Sequence, residues 1–355
     1  MKRGLVGEPA MGNEGSGEEN SVGDLERRMG LGLPELVSRH GIVLAPNGRP
    51  WESKAVINGP IFRLEDSIGL LYRAFGEDET CKWRREGTSS FGLATSQDEL
   101  HFERASDEPV FKPEGDDEKH GVEDPRVIFI DDRFYVPYTA VKRIEGKKSV
   151  EARVSLASTT DFRNFKRYGV ILRDNEDVSN KDAALFPEKI GGSYIMLHRR
   201  DGVNIWMAYS DDLINWYGHR IIMKPKLWWE KLKIGACFSP IKTEEGWELY
   251  YHGVDKDNVY RVGVALLNLE DPSKEIVRLG PIFQPETHYE KIGLVNNVVF
   301  PCGAIPQKDN LNPCGAIPQN YNLKISYGAG DTVTALAVVN RNRLNQKLER
   351  ALAFA

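Results

Sequence analysis

The sequence predicts an all-β fold, a five-bladed β-propeller with a short carboxy-terminal helix. Three observations lead there. An aromatic or apolar strand ending in polar groups occurs five times, at residues 70–74, 135–140, 194–199, 249–253 and 325–331, in units 55 to 76 residues apart. In the first three units a second strand follows, with small residues and an acidic turn before an aromatic: Asp98 before Phe102, Asp161 before Phe165, Asp212 before Trp216. The fourth keeps a degenerate copy at 262–267. Propeller repeats run about 40 to 50 residues, so these units are blades with generous loops. Finally, no stretch before residues 340–351 sustains a helical apolar period. Two unrelated β-sandwiches would have no reason to repeat strands in this order.

Taken in order, residues 1–32 are rich in Gly, Glu, Ser and Met and lack an apolar period. Such a segment cannot bury enough surface to offset the entropy of ordering, so a flexible tail is expected, with Met11 or Met29 as alternative starts. Residues 33–355 are expected to form one propeller domain, opening with a helical turn at 33–37 and a turn at 46–50, with strands from Val56 onward. The apolar runs 127–130 and 134–138, joined by Asp131, Asp132 and Arg133, read as a hairpin. Residues 301–307 recur letter for letter at 313–319, the mark of a recent tandem duplication or an assembly error. The extra length is expected in the turn between residues 298–300 and 323–325, where a surface loop tolerates it at small entropic cost. The Arg/Asn-rich end from Asn340 to Arg350 can pack on a neighbouring subunit as a helix, which makes a homo-oligomer a candidate state.

A chain of 355 residues that is 41% apolar has ample material for a core. A net charge of −5 without a basic block argues against nucleic acid as a partner. No apolar run approaches the roughly 18 to 20 residues that span a bilayer, and the amino terminus lacks a secretory core. No membrane partner is expected, and the expected location is cytoplasmic. Cys81, Cys237, Cys302 and Cys314 are never spaced as a Cys-x-x-Cys pair, which suggests neither zinc nor a disulfide framework. No histidines pair at ligand spacing, so no metal is expected.

The chemistry centres on residues 121–127, which pack Glu123, Asp124, Pro125 and Arg126 into consecutive positions at a strand mouth. Pro125 fixes its own φ and pushes Asp124 towards an extended backbone, so the carboxylate is expected on a stiff support. A propeller gathers the polar ends of its strands around one depression. The predicted pocket collects Arg73 from blade one, Asp124 and Arg126 from blade two, and Lys181, Asp182, His198 and Arg199 from blade three. Blade four adds His252 and Tyr260, and blade five Asp331. This is a strongly cationic set around a few carboxylates, suited to phosphate or another anion. Singly, each has a structural explanation, as a surface arginine, a salt-linked turn or a core histidine. Recurrence at equivalent blade positions argues for a site.

The ordered series 121–126, 181–187, 197–199, 251–253, 297–301 and 327–331 resembles the successive signatures of the β-mannoside phosphorylases of glycoside hydrolase family 130, from about Asn58 to Ala337. The resemblance implies an enzyme, a glycosyltransferase in which inorganic phosphate attacks the anomeric carbon of a terminal β-linked mannose and releases α-mannose 1-phosphate with inversion. It implies Asp124 as general acid, its proton relayed through a mannose hydroxyl. Arg73, Lys181, Arg199, His252 and Tyr260 then stand on the phosphate side, and Asn58, Asp182 and Asp331 bind mannose hydroxyls. Arg126 either orients Asp124 or reaches the substrate. The partners are a β-mannoside oligosaccharide and inorganic phosphate as co-substrate, with no cofactor. A hydrolase of the same family would lose the cations and gain a carboxylate base. A lectin-like propeller would need no acid beside a dense cation set, and a three-carboxylate glycosidase acting on arabinan or fructan would not explain the cations. Residues 236–240 stand where a Gly- and Pro-rich loop is expected, which points to a divergent acceptor side.

Overall fold

The computed structural model describes residues 36–76, 88–144, 150–172, 179–307 and 322–353. The expected tail over 1–32, Cys81, Cys314 and the second copy at 313–319 lie outside the described residues.

Five antiparallel sheets follow one another along the chain. The first holds Ala55–Ile57, Ile68–Phe75, Ser90–Ser96 and Glu103–Arg104, and the second Val122–Glu123, Arg133–Arg143, Val150–Thr159 and Lys166–Val170. The third holds Lys181–Leu185, Tyr194–Arg199, Ile205–Ser210 and Trp216–Met223, and the fourth Lys233–Ala236, Trp247–Val254, Tyr260–Leu267 and Glu275–Phe283. The fifth joins Val299–Pro306, Leu323–Ala329 and Val333–Val339 to a strand from the other end of the chain, Val37–Leu44.

That last pairing places Val37, the end of the expected helical turn at 33–37, in a strand, and it corrects the expected start of the strands at Val56; residues 33–35 lie outside the described residues. Val37 opens a strand that runs antiparallel to Val333–Val339, with Val37 opposite Val339. Without it the third strand of the last blade would present an open edge of unpaired backbone groups. Residues 301–306, in the first copy of the repeat, lie in the strand Val299–Pro306, paired with Leu323–Ala329.

The five recurrent segments are the second strand of each blade, not the innermost. The innermost strands are Ala55–Ile57, Val122–Glu123, Lys181–Leu185, Lys233–Ala236 and Val299–Pro306. Second strands are conspicuous because they are packed on both faces: Ile68–Phe75, Trp247–Val254 and Leu323–Ala329 are buried at every position. A strand buried on both sides reads as a continuous apolar run rather than an alternating one. The core is accordingly divided among the contacts between neighbouring blades. Phe91 and Phe111 meet Val122 and Tyr138 between blades one and two, while Leu197 and Met207 meet Trp229 and Trp247 between blades three and four.

The expected carboxy-terminal helix runs from Arg341 to Leu352, with the Asn340 side chain accepting from the Arg343 N–H at its start. Leu344, Leu348 and Ala351 lie on one face and are buried with Tyr250 and Leu279. The buried Arg341 guanidinium pairs with Glu248. The helix therefore commits its apolar face to its own chain. No helix among the described residues is long and apolar enough to cross a membrane.

Candidate active site

One pocket of about 180 Å³ lies where the inner and second strands of all five blades converge. Its wall includes Asn58, Arg73, Asp124, Lys181, Asp182, Arg199, His252, Tyr260 and Asp331. Two residues placed there from sequence are elsewhere. Alternation along a strand sends neighbours to opposite faces, so with Arg199 facing the pocket, His198 turns away. It is buried with Nδ1 3.2 Å from Asn180 Oδ1 and Nε2 3.2 Å from His219 Nδ1. Arg126 lies beneath the floor and does not line the cavity.

Four polar wall residues have left-handed backbones: Asn58 at φ 50°, Asp124 at 49°, Asp182 at 57° and Asp331 at 48°. Asn and Asp enter this region with less penalty than other residues bearing a Cβ, which accounts for their presence at these turns. The extended backbone expected for Asp124 ahead of Pro125 is therefore not what forms. The turn instead carries a strain of about 1–3 kcal/mol, which the surrounding structure holds in place.

The acid side is built on Glu123 and Asp124. Asp124 Oδ1 accepts from Asn58 Nδ2 at 2.8 Å and from Arg73 at 3.2 Å. The second terminal nitrogen of Arg73 meets Glu123 Oε1 at 3.0 Å, and the other oxygen of Glu123 accepts from Lys181 Nζ at 3.0 Å. Arg73 thus bridges both carboxylates, while Glu123, only 1% exposed, ties Arg73 to Lys181.

The opposite wall is built on Asp182, whose Oδ2 lies 2.9 Å from Arg199 Nε and 3.7 Å from His252 Nε2. Burial alone would raise its pKa, but the charges of Arg199 and its neighbours hold it below the usual carboxylate range. The close approach depends on Gly235, opposite His252 in the ladder: a Cβ there would stand 2.3 Å from Asp182 Oδ2. Gly328 serves Asn58 in the same way, a Cβ falling 2.0 Å from Asn58 Oδ1.

Burial, helped by Arg199 and Lys233, lowers the His252 pKa to about 3 against the pull of Asp182, so its imidazole is neutral. Burial also pushes Tyr260 up to about 12, which keeps its hydroxyl protonated. The His252 ring stacks on Tyr260 at 6.0 Å and tilts against Phe300 at 4.8 Å.

Sequence reasoning missed Lys233, and it assigned no role to Glu123 or to Val298 and Phe300 of the 297–301 signature. A signal existed for Lys233. It opens the inner strand Lys233–Ala236 just as Lys181 opens Lys181–Leu185 in the preceding blade. Burial and the charge of Arg199 bring its pKa down to about 8. With it the wall carries four cations, Arg73, Lys181, Arg199 and Lys233, against four carboxylates, Glu123, Asp124, Asp182 and Asp331. The site is thus balanced rather than strongly cationic, because each buried charge needs a partner.

A propeller bowl lined by paired carboxylates and cations is a site for a strongly polar or anionic ligand. Residues 82–349 match the model of glycoside hydrolase family 130, described as beta-1,4-mannooligosaccharide phosphorylase, and the chain belongs to that family. It is 41% identical over 300 residues to the 1,2-beta-oligomannan phosphorylase of Thermoanaerobacter sp. (strain X514), covering 84% of this chain and 94% of the relative. It is 43% identical over 301 residues to the beta-1,2-mannobiose phosphorylase of the same organism, covering 83% and 93%. Among solved structures, the beta-1,2-mannobiose phosphorylase from Listeria innocua in complex with beta-1,2-mannobiose superposes with a TM-score of 0.74 at 28% identity, covering 88% of this chain and 99% of that one.

Proposed function

We propose that the protein cleaves a terminal β-1,2-mannosidic linkage by phosphorolysis with inversion, releasing α-mannose 1-phosphate. The observation that carries this reading is the division of the pocket. Asp124 stands with Asn58 and Arg73 on one side, while Lys181, Arg199, Lys233, His252 and Tyr260 supply donors around the rest. Glu123 and Asp182 are buried and ion-paired, so neither is placed to serve as the base that activates water in an inverting hydrolysis. Phosphate arrives already anionic and needs no such base.

In the reaction a phosphate oxygen bonds to the anomeric carbon as the bond to the leaving oxygen breaks. Asp124, as the general acid, supplies the proton that oxygen takes up, relayed through a mannose hydroxyl. Lys181, Arg199 and Lys233 neutralise the nucleophile and hold it in line. His252 and Tyr260 contribute neutral N–H and O–H donors. That revises His252 from cation to hydrogen-bond donor. Asn58, Asp182 and Asp331 face the sugar, and inorganic phosphate is the co-substrate with no cofactor required. The β-1,2 linkage rests on the names of the two Thermoanaerobacter relatives. Buried free thiols at Cys237 and Cys302 suit a reducing, cytoplasmic setting.

The test is incubation of purified protein with β-1,2- and β-1,4-mannobiose, with and without phosphate. Phosphate-dependent α-mannose 1-phosphate from the 1,2 isomer is expected. Free mannose released equally without phosphate would make it a hydrolase.

A further inference from the structure

The side chain of Arg126 is 1% exposed, beneath the pocket floor. Its backbone N–H is anchored to the Pro137 carbonyl at 2.9 Å, in the second strand of its blade. From there one terminal nitrogen donates to the carbonyls of Asp124 and Pro125, both at 3.1 Å. The guanidinium lies 5.4 Å from the centre of the Phe300 ring, which lines the pocket above. Its Nε and other terminal nitrogen have no hydrogen-bond partner among the described residues. A buried cation with unmet donors costs stability and calls for an explanation. What it touches is the carbonyl of the one wall residue that is left-handed and directly precedes a proline, at φ 49°.

We propose that Arg126 is the positioning residue of the site. By clamping the carbonyls of Asp124 and Pro125 from below, it holds the left-handed turn that aims the Asp124 carboxyl at Asn58 and the bound sugar. This rests on Asp124 being the acid of the proposed phosphorolysis. The charge of Arg126 is directed at the main chain of the acid, not at substrate. Phosphate and sugar therefore bind without it, while the proton is delivered from the wrong place when it is lost.

The experiment compares wild type, Arg126→Gln and Arg126→Lys by steady-state phosphorolysis of β-1,2-mannobiose and by crystal structures of the variants. A misaimed reacting group costs on the order of 100-fold, so kcat of Arg126→Gln is expected to fall by about that factor. KM for sugar and for phosphate is expected to stay within about threefold of wild type, since neither substrate touches Arg126. Arg126→Lys, which keeps a donor, should recover part of the loss. In the Arg126→Gln crystal, Asp124 should leave its left-handed φ and its bond to Asn58. Unchanged kcat, a raised KM with kcat intact, or an unmoved turn would each overturn the proposal. An inactive wild type would sink the phosphorolysis reading alone, because the turn geometry still decides the role of Arg126. If Arg126→Gln does not fold, Arg126→Lys carries both readouts: a turn that leaves its left-handed φ with kcat unchanged, or a retained turn with kcat lost, would overturn it.

Discussion

Asp and Asn do two different jobs in this propeller, one at its outer turns and one in its axial bowl. At the outer turns, Asp161 accepts from the backbone N–H groups of Arg163 and Asn164, and Asp212 from those of Ile214 and Asn215. Asp98 does the same for Leu100 and His101, and in blade four Asn268 takes the role for Glu270 and Asp271. These partners lie two or three residues away. The backbone donors hold the carboxyls of Asp161 and Asp212 well below the usual range, in full contact with water. In the bowl, Asp124 meets Asn58 and Arg73 from another blade, and Asp182 meets Arg199 and His252. Outer turns are stabilised locally and repeat. The bowl is held by side chains distant in sequence, much of it across blades, as where Asp124 meets Arg73 and Lys181 meets Glu123.

The difference predicts unequal consequences of mutation. Asp124→Asn removes the transferable proton but keeps an acceptor for Asn58, and general acid catalysis contributes about 10²–10⁴-fold. Turnover measured as mannose 1-phosphate release should fall within that range while calorimetry still detects sugar binding. Retained turnover would remove Asp124 from the acid role.

Glu123→Gln leaves Arg73 and Lys181 without the carboxylate they share. Breaking a buried pair from one side destabilises by about 3–5 kcal/mol, a shift that denaturant unfolding would detect. A change under 1 kcal/mol would mean the pairing is dispensable.

Lys233 tests the electrostatics of the bowl. Its folded pKa, about 8, lies below the ordinary 10.5, so it is a cation below about pH 8 and neutral above. Unfolded chain binds more protons than folded chain between these values, so Lys233 makes stability rise with pH across that window. Phosphate affinity runs the other way. KM for phosphate should climb as pH passes through about 8, and Lys233→Met should flatten that climb while raising KM at lower pH. A wild-type profile that matches the variant would show that Lys233 does not face phosphate.

The smallest effect belongs to the outer turns. Asp161→Ala forfeits local backbone hydrogen bonds worth about 1 kcal/mol, comparable to the loss of a helix cap. It should lower the melting temperature slightly and leave kcat and KM untouched. Asp212→Ala should behave alike, and the two losses should add because the sites are separate. A strong effect of either on kcat would erase the distinction drawn between rim and bowl.

This distinction also explains what was legible. The acidic turns at Asp98, Asp161 and Asp212 could be read because each is satisfied by its own neighbours, so the pattern recurs as spelling. The second strands could be read because burial on both faces makes them apolar throughout. The short inner strands, two to eight residues long, carry little periodicity, which is why Lys233 escaped notice and Phe300 was given no role. His198 was misplaced because a motif names both faces of a strand and only the packing says which one is used.

The residue chemistry, the five-fold recurrence and the order of motifs are local properties, and the sequence alone determined them. The tertiary structure decided which polar groups meet. It closed the ring with Val37–Leu44, turned Asp124 left-handed ahead of Pro125, made His252 neutral by burial and sealed Arg126 under the floor. Each of these depends on groups far apart in the chain, whose energies exist only once the blades are packed together.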